Sequence, residues 1–302
     1  MNRRNLLKGA LACACTLLLA PAPGAALPVG RVVAQLSALE RRHGGRLGVS
    51  MLDTGSGRGA SWRGDERFLL CSTFKLLAVA AVLARVDHGT ERLDRRVVFN
   101  DRVLLAYAPV TRLHVGPAGM SISELCAAAI TVSDNTAANL LLDALGGPRA
   151  VTAFVRKLGD QRTRLDRHEP DLNVGGPGDL RDTTTPDAML GSMRAVLLAG
   201  VLSVASRTHL VGWLRASTTG ADKLRAGLPA DWLIGDKTGS GAQGETNDVA
   251  IAYPPGRKPV IVTAYYAGSR AGAAERNVVL AQVGRIVAGM YGNTWPVQHR
   301  LR

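Results

Sequence analysis

Cysteine is scarce in this chain: four occur among 302 residues, with Cys13 and Cys15 in the first 26 and Cys71 and Cys126 after them. So few exclude a small domain framed by disulfides. Cys71 precedes one expected helix and Cys126 falls inside another, so both are expected as free thiols even in an oxidising compartment. Aromatic residues are only 4% and no basic block carries a nucleic-acid motif, so no nucleic-acid partner is expected despite a net charge of +13. After position 30 no apolar run reaches the ~18 residues that a membrane span needs. No cluster of His, Cys and Asp has ligand spacing, so neither a metal nor another cofactor is expected. Lysine is rare too: past residue 26 only Lys75, Lys157, Lys223, Lys237 and Lys258 occur.

What is present, 46% hydrophobic and 20% charged residues, is a soluble globular balance. The length suits one large domain or two modest ones. Arg3 and Arg4 precede an apolar stretch, Leu11 to Ala20, and a small-residue end, Gly24-Ala25-Ala26, which is the order of an export signal over residues 1–26. Asn2-Arg3-Arg4-Asn5-Leu6-Leu7-Lys8 is similar to a twin-arginine signal. The expectation is a periplasmic or secreted monomer with no stable membrane association once the signal is removed. Losing Arg3, Arg4 and Lys8 leaves +10, scattered as a solvated basic surface.

Helical periodicity marks residues 31–42, and the alanine-rich run Phe74 to Val86 is too long for a buried strand. Ser121 and Glu124 have capping-box spacing ahead of a helix from Ile122 to Ile130. Thr136 to Leu145 is stopped by Gly146-Gly147; Pro148 opens a helix that Gly159 ends. Further helices are expected from Thr185-Pro186, over Ser206 to Leu214, and over 273–290. Residues 46–53 and 60–62 read as a hairpin, and Trp232 to Asp236, Asn247 to Tyr253 and Val260 to Tyr266 as strands. Residues 160–182 hold few apolar side chains and form a long irregular loop, a kind that is usually functional. Strands at both ends with helices between give an α+β (α/β sandwich) fold. It has one antiparallel sheet of about five strands flanked by the N- and C-terminal helices, plus an inserted all-α lobe. The α/β lobe takes residues 27–65 and 216–302, and the all-α lobe residues 66–215 with the loop 164–182. A binding cleft is expected between them.

Three short segments carry chemistry. Ser72-Thr73-Phe74-Lys75 sets a hydroxyl and an amine on one helical face, and a desolvated lysine can activate such a serine. The helix start offers backbone donors to a developing oxyanion. Ser133-Asp134-Asn135 lies between two helices, where Ser133 can pass a proton to a leaving nitrogen and Asn135 can grip a carbonyl. In Lys237-Thr238-Gly239-Ser240, Lys237, Thr238 and Ser240 can bind a carboxylate, and Gly239 permits close approach of a ligand. The Ser240 N–H would join that of Ser72 as an oxyanion hole. Alone, each segment also reads as an ordinary cap, turn or strand end.

Together, in order and spacing, they resemble the penicillin-recognising serine hydrolases. Arg167-His168-Glu169-Pro170-Asp171-Leu172-Asn173 resembles the Ω-loop of class A β-lactamases, and the resemblance covers essentially the whole chain past residue 26. It implies a β-lactamase/transpeptidase-like fold and hydrolysis of the lactam amide of penicillins or cephalosporins, giving antibiotic resistance. It implies a Ser72 acyl-enzyme, cleared by water that Glu169 activates and Asn173 helps hold. The catalytic set is then Ser72, Lys75, Ser133 and Glu169; the substrate-binding set is Asn135, Asn173, Lys237, Thr238, Gly239, Ser240 and Tyr107. Arg167 and Asp182 match the pair that closes the Ω-loop, and Tyr107 a cleft-lining tyrosine. Four positions depart from the pattern. His168 replaces a common tryptophan. Val79 stands where Cys126 would find a disulfide partner, and Gly241 where Cys71 would. Thr246 replaces a carboxylate-binding arginine, leaving Lys223, Arg225 or Arg276 as substitutes. The rivals are a D,D-peptidase, against which Glu169 and Asn173 argue, and a non-catalytic β-lactam sensor, which is usually tethered to a membrane-spanning segment.

Overall fold

The computed structural model describes residues 27–176 and 178–292; the expected export signal lies outside the described residues. The sheet is antiparallel, in the order β2-β1-β9-β8-β7, with β1 at Arg46–Asp53, β2 at Gly59–Trp62, β7 at Leu233–Ser240, β8 at Thr246–Tyr253 and β9 at Val260–Ala267. Alternation sorts its two faces. Leu47, Val49, Met51, Val262, Ala264 and Tyr266 join Val32 and Leu36 of α1 (Val29–His43) and Val279 and Val283 of α9 (Ala273–Gly289) in one core. Val249, Ile251, Ile261 and Tyr265 point the other way, into the helical core. Because β9 is central and covered on both sides, its residues are buried from Val260 to Tyr266 and it reads as one apolar run. The alternation of β1 is broken at Gly48 for a packing reason: a Cβ there would meet the Phe68 ring at 2.3 Å.

The helical core is built on α2 (Phe74–Asp87), buried at every position from Phe74 to Leu83. A helix apolar all round needs cover on all sides. That cover comes from α3 (Ile122–Thr131), α4 (Asn135–Leu145), α5 (Pro148–Lys157), α6 (Pro186–Leu198) and α7 (Val204–Arg215). The sequence punctuation works as expected. Ser121 and Glu124 form the capping box of α3, Asp134 caps α4, Pro148 opens α5, and Thr185 with Pro186 starts α6.

Some elements were not expected. The strand anticipated over Trp232–Asp236 continues to Ser240, so Lys237-Thr238-Gly239 lies within β7 rather than after it, held by the ladder to β8. Two residues of β3 (Phe68–Leu69) pair with two of β6 (Thr183–Thr184), joining the approach to Ser72 to the end of the irregular loop. A short hairpin of β4 (Arg96–Phe99) and β5 (Gly116–Ser121) brackets the Tyr107 segment, and a single turn, α8 (Leu224–Gly227), precedes β7. Cys71 and Cys126 are buried and unpaired. No described helix is long and apolar enough to cross a membrane.

Candidate active site

Ser72 sits where the chain turns from β3 into α2. Cys71 takes a left-handed backbone, φ +42°, a conformation that costs a non-glycine residue about 1–3 kcal/mol. A 3₁₀ turn, Cys71–Thr73, then runs directly into α2. Beneath it, Thr73 Oγ1 donates to Leu70 O at 2.6 Å and lies 3.3 Å from the buried Tyr265 Oη. Lys75 follows on the same face, fully buried. Its Nζ donates to Ser133 O at 2.8 Å, Ser133 Oγ at 3.3 Å and Asn135 Oδ1 at 2.6 Å, and lies 3.2 Å from Glu169 Oε1. These partners offset the burial of an ammonium, which uncompensated costs several kcal/mol. Burial still holds Lys75 below the ordinary lysine range, with Glu169 pulling the other way.

Ser133 also adopts a left-handed backbone, φ +61°. A second ammonium reaches it from β7, because Lys237 Nζ donates to Ser133 Oγ at 3.0 Å and to Thr238 O at 2.8 Å. With Lys75 and Lys237 both donating to its oxygen, the Ser133 hydroxyl keeps its own hydrogen to give. Lys237 is held well below the ordinary lysine range by burial, and then by the charges of Lys75 and Lys223. Thr238 Oγ1 lies 2.7 Å from Thr219 Oγ1, and Ser240 is exposed at the end of β7. Asp134 points away from this net. It caps α4 and accepts from Val110 N and Thr111 N, both at 2.9 Å, which fixes the segment carrying Tyr107. Asn135 N donates to Tyr107 O at 3.1 Å, and the Tyr107 side chain is half exposed.

The irregular loop supplies the carboxylate. Glu169 is buried; its Oε1 lies 3.2 Å from Ser72 Oγ, and its Oε2 accepts from Asn173 Nδ2 at 2.5 Å. The loop closes on itself through Asp182, fully buried, which accepts from Arg167 Nε at 2.6 Å, Asp166 N at 2.7 Å and Arg167 N at 3.0 Å. Removing one charge from a buried pair leaves the other uncompensated. Asp182→Asn is therefore expected to lower stability by about 3 kcal/mol. Urea unfolding reads this, and a loss under about 1 kcal/mol contradicts the closing role.

Ser72, Lys75, Ser133, Asn135, Glu169, Asn173 and Lys237 thus form one connected net drawn from α2, the α3–α4 junction, the loop and β7. The pattern described as the Beta-lactamase enzyme family matches residues 31–291. The chain belongs to this family. Beta-lactamase AST-1 of Nocardia asteroides is 47% identical over 300 residues, 96% of each chain. Beta-lactamase CTX-M-25 of Escherichia coli is 45% identical over 96% of this chain and all of its own. An ancestral class A β-lactamase (GNCA) of solved structure is 60% identical, covering 85% of this chain and 98% of its own, with a TM-score of 0.83. The fold is that of a class A serine β-lactamase.

In this β-lactamase, sequence reasoning missed Asn139, whose side chain grips both backbone groups of Glu169: Nδ2 donates to its O and Oδ1 accepts from its N, each at 2.9 Å. The available signal was its spacing, four residues beyond Asn135 on the same face of α4. The departures also have local accounts. A Cβ at Gly241 would meet the Glu245 carboxylate, with Oε2 at 2.2 Å, so a side chain there would have to displace the end of Glu245. Burial raises the pKa of both Cys71 and Cys126, leaving their thiols protonated. His168 Nε2 lies 3.1 Å from Asp143 Oδ1, tying the loop to α4. Of the three candidate cations, Arg225 is paired with the buried Asp236, and Lys223 is buried, donating to Asn247 O at 3.5 Å. Arg276 of α9 donates from Nε to Thr246 Oγ1 at 3.0 Å.

Proposed function

We propose that this chain is an exported monomer that opens β-lactam rings in two steps on Ser72. Its site is the cleft between the α/β lobe, 27–65 with 216 onward, and the all-α lobe, 66–215. Export through the segment 1–26, by the twin-arginine route, delivers it to the periplasm or beyond. In the first step Ser72 Oγ loses its proton to Glu169 and bonds to the lactam carbonyl carbon. The C–N bond breaks as Ser133 gives its proton to the nitrogen. Lys75, in contact with both Ser133 Oγ and Glu169 Oε1, gives Ser133 a proton and takes the one Glu169 received, so that Glu169 is a carboxylate again, while Lys237 holds the Ser133 oxygen. The N–H groups of Ser72 and Ser240 receive the oxyanion. Asn135, Thr238, Ser240 and Tyr107 hold the substrate, whose carboxylate meets Lys237, with Arg276 serving in place of the arginine that Thr246 replaces.

In the second step Glu169 takes a proton from water, the resulting hydroxide bonds to the ester carbon, and the ester C–O bond breaks as Glu169 passes that proton to Ser72 Oγ, restoring both groups. The observation that carries this reading is the Glu169 carboxylate, with one oxygen 3.2 Å from Ser72 Oγ and the other on the Asn173 amide. Asn173 Oδ1 is buried without a protein donor, which suits a bound water that must give a hydrogen while Glu169 takes another. A peptidase needs no such arrangement. Mass spectrometry during hydrolysis of a penicillin should find a transient adduct of one substrate on the wild type and none on Ser72→Ala, which should not turn over. Hydrolysis persisting in Ser72→Ala, or absent from the wild type, overturns the reading.

A further inference from the structure

Asn247 stands on β8 with its side chain shut away from solvent, 1% exposed, and no step described so far uses it. Its Nδ2 donates to Leu69 O at 2.9 Å and to Leu70 O at 3.3 Å. These carbonyls belong to the two residues that lead into Cys71, whose left-handed backbone aims Ser72. The other side of the Leu70 peptide is pinned as well, since Leu70 N donates to Asp182 O at 2.8 Å at the end of the irregular loop. Asn247 is also the ladder partner of Gly239. A Cβ at Gly239 would lie 3.1 Å from Leu70 O, 3.1 Å from the Cys71 Cβ and 3.3 Å from Asn247 Nδ2. The Lys237-Thr238-Gly239 strand, the Asn247 amide and the turn before Ser72 therefore meet at one dry point.

The two oxyanion donors each lie one residue from that point: Ser72 follows Cys71, and Ser240 follows Gly239. They belong to different elements, and the Asn247 side chain is a hydrogen bond that joins those elements. We infer that Asn247 is a positioning residue that sets the spacing of the oxyanion hole, holding the strained nucleophile turn against the β7–β8 pair. The inference rests on the acyl-enzyme reading above. Oxyanion donors act through preorganised distance, and a shift of about 1 Å can cost about 10²-fold. Asn247→Ala removes both donated bonds, and Asn247→Asp turns a lone-pair acceptor toward two carbonyl oxygens at nearly the same size.

The test compares wild type, Asn247→Ala and Asn247→Asp with Ile251→Ala, a β8 core variant that destabilises the strand without touching the turn. The readouts are the single-turnover acylation rate with a chromogenic cephalosporin and the inhibition constant of a phenylboronic acid, which forms a tetrahedral adduct on Ser72. Both Asn247 variants are expected to lose about 10- to 100-fold in acylation and in boronate affinity. The pH optimum of Asn247→Ala should not move, since no titrating group is lost. Ile251→Ala should lower Tm while keeping both values within about threefold. Asn247→Ala within twofold of wild type, or no worse than Ile251→Ala, overturns the inference, and Asn247→Ser carries the same comparison if the alanine variant does not fold. A wild type that forms no acyl-enzyme would instead sink the reading it rests on.

Discussion

Glu169→Gln is expected to stop turnover after the first chemical step. The glutamine keeps the size of the side chain and can still meet Asn173, but it cannot take a proton. A general base contributes about 10²–10⁴-fold, so steady-state turnover should fall about 10³-fold or more. The ester on Ser72 should persist for minutes to hours, visible by mass spectrometry as one substrate mass added. On the proposed mechanism acylation should also slow, by about 10²-fold, because Glu169 Oε1 lies 3.2 Å from Ser72 Oγ, in place to accept its proton, whereas Lys75 Nζ donates to Ser133, Asn135 and Glu169. Turnover within tenfold of wild type would contradict the assignment. Full-speed acylation beside a trapped ester would return the first proton transfer to Lys75.

Lys75→Met should be nearly as damaging, for a different reason. Methionine fills the buried volume but offers no hydrogen bond to Ser133 O, Ser133 Oγ, Asn135 Oδ1 or Glu169 Oε1. Four acceptors lose their common donor, and the carboxylate loses its counter-charge. A fall of about 10³-fold in acylation rate is expected. In the wild type the same ammonium predicts an alkaline limb. Burial lowers Lys75, and Lys237 still further, so both charges are lost as pH rises, below the range of an ordinary lysine. Loss of the Lys237 charge should appear in kcat/KM through weaker substrate binding, and loss of the Lys75 charge in kcat. A profile flat up to the ordinary lysine range, or a methionine variant within tenfold of wild type, would contradict this account.

What the sequence made legible, and what it hid, divides by the reach of the interactions. The capping box at Ser121, the proline starts of α5 and α6, and the serine–lysine pair at the head of α2 are local, and each was read from neighbouring residues. The end of β7 was misjudged because Gly235 and Gly239 weaken strand propensity, while the full ladder to β8 overrides it. The two-residue strands β3 and β6 are too short to show a period and exist only because distant segments meet. Asn139 has a local signal that went unused. Arg276 lies in the first turn of an amphipathic helix where any polar residue fits, so only the sheet packed beside it reveals that it reaches Thr246. Asn247 is one of three polar residues, with Thr246 and Asp248, that open β8 ahead of its apolar run, and nothing local marks it, since its partners lie 178 and 177 residues earlier in the chain.

The pairing of β1 with β9 reaches past the chemistry. A strand formed among the first residues of the globular part waits for one more than 200 residues later. Every residue of the catalytic net has been synthesised by Ser240, yet the sheet that supports it is still missing its central strand. A chain ending there holds the full inventory of reactive groups but lacks β8 and β9, against which β7 and β1 are laid. Competence therefore arrives late, at the last stage of synthesis, because the strand at the middle of the sheet is the last to be made and its pairing with β1 closes the longest loop between paired strands.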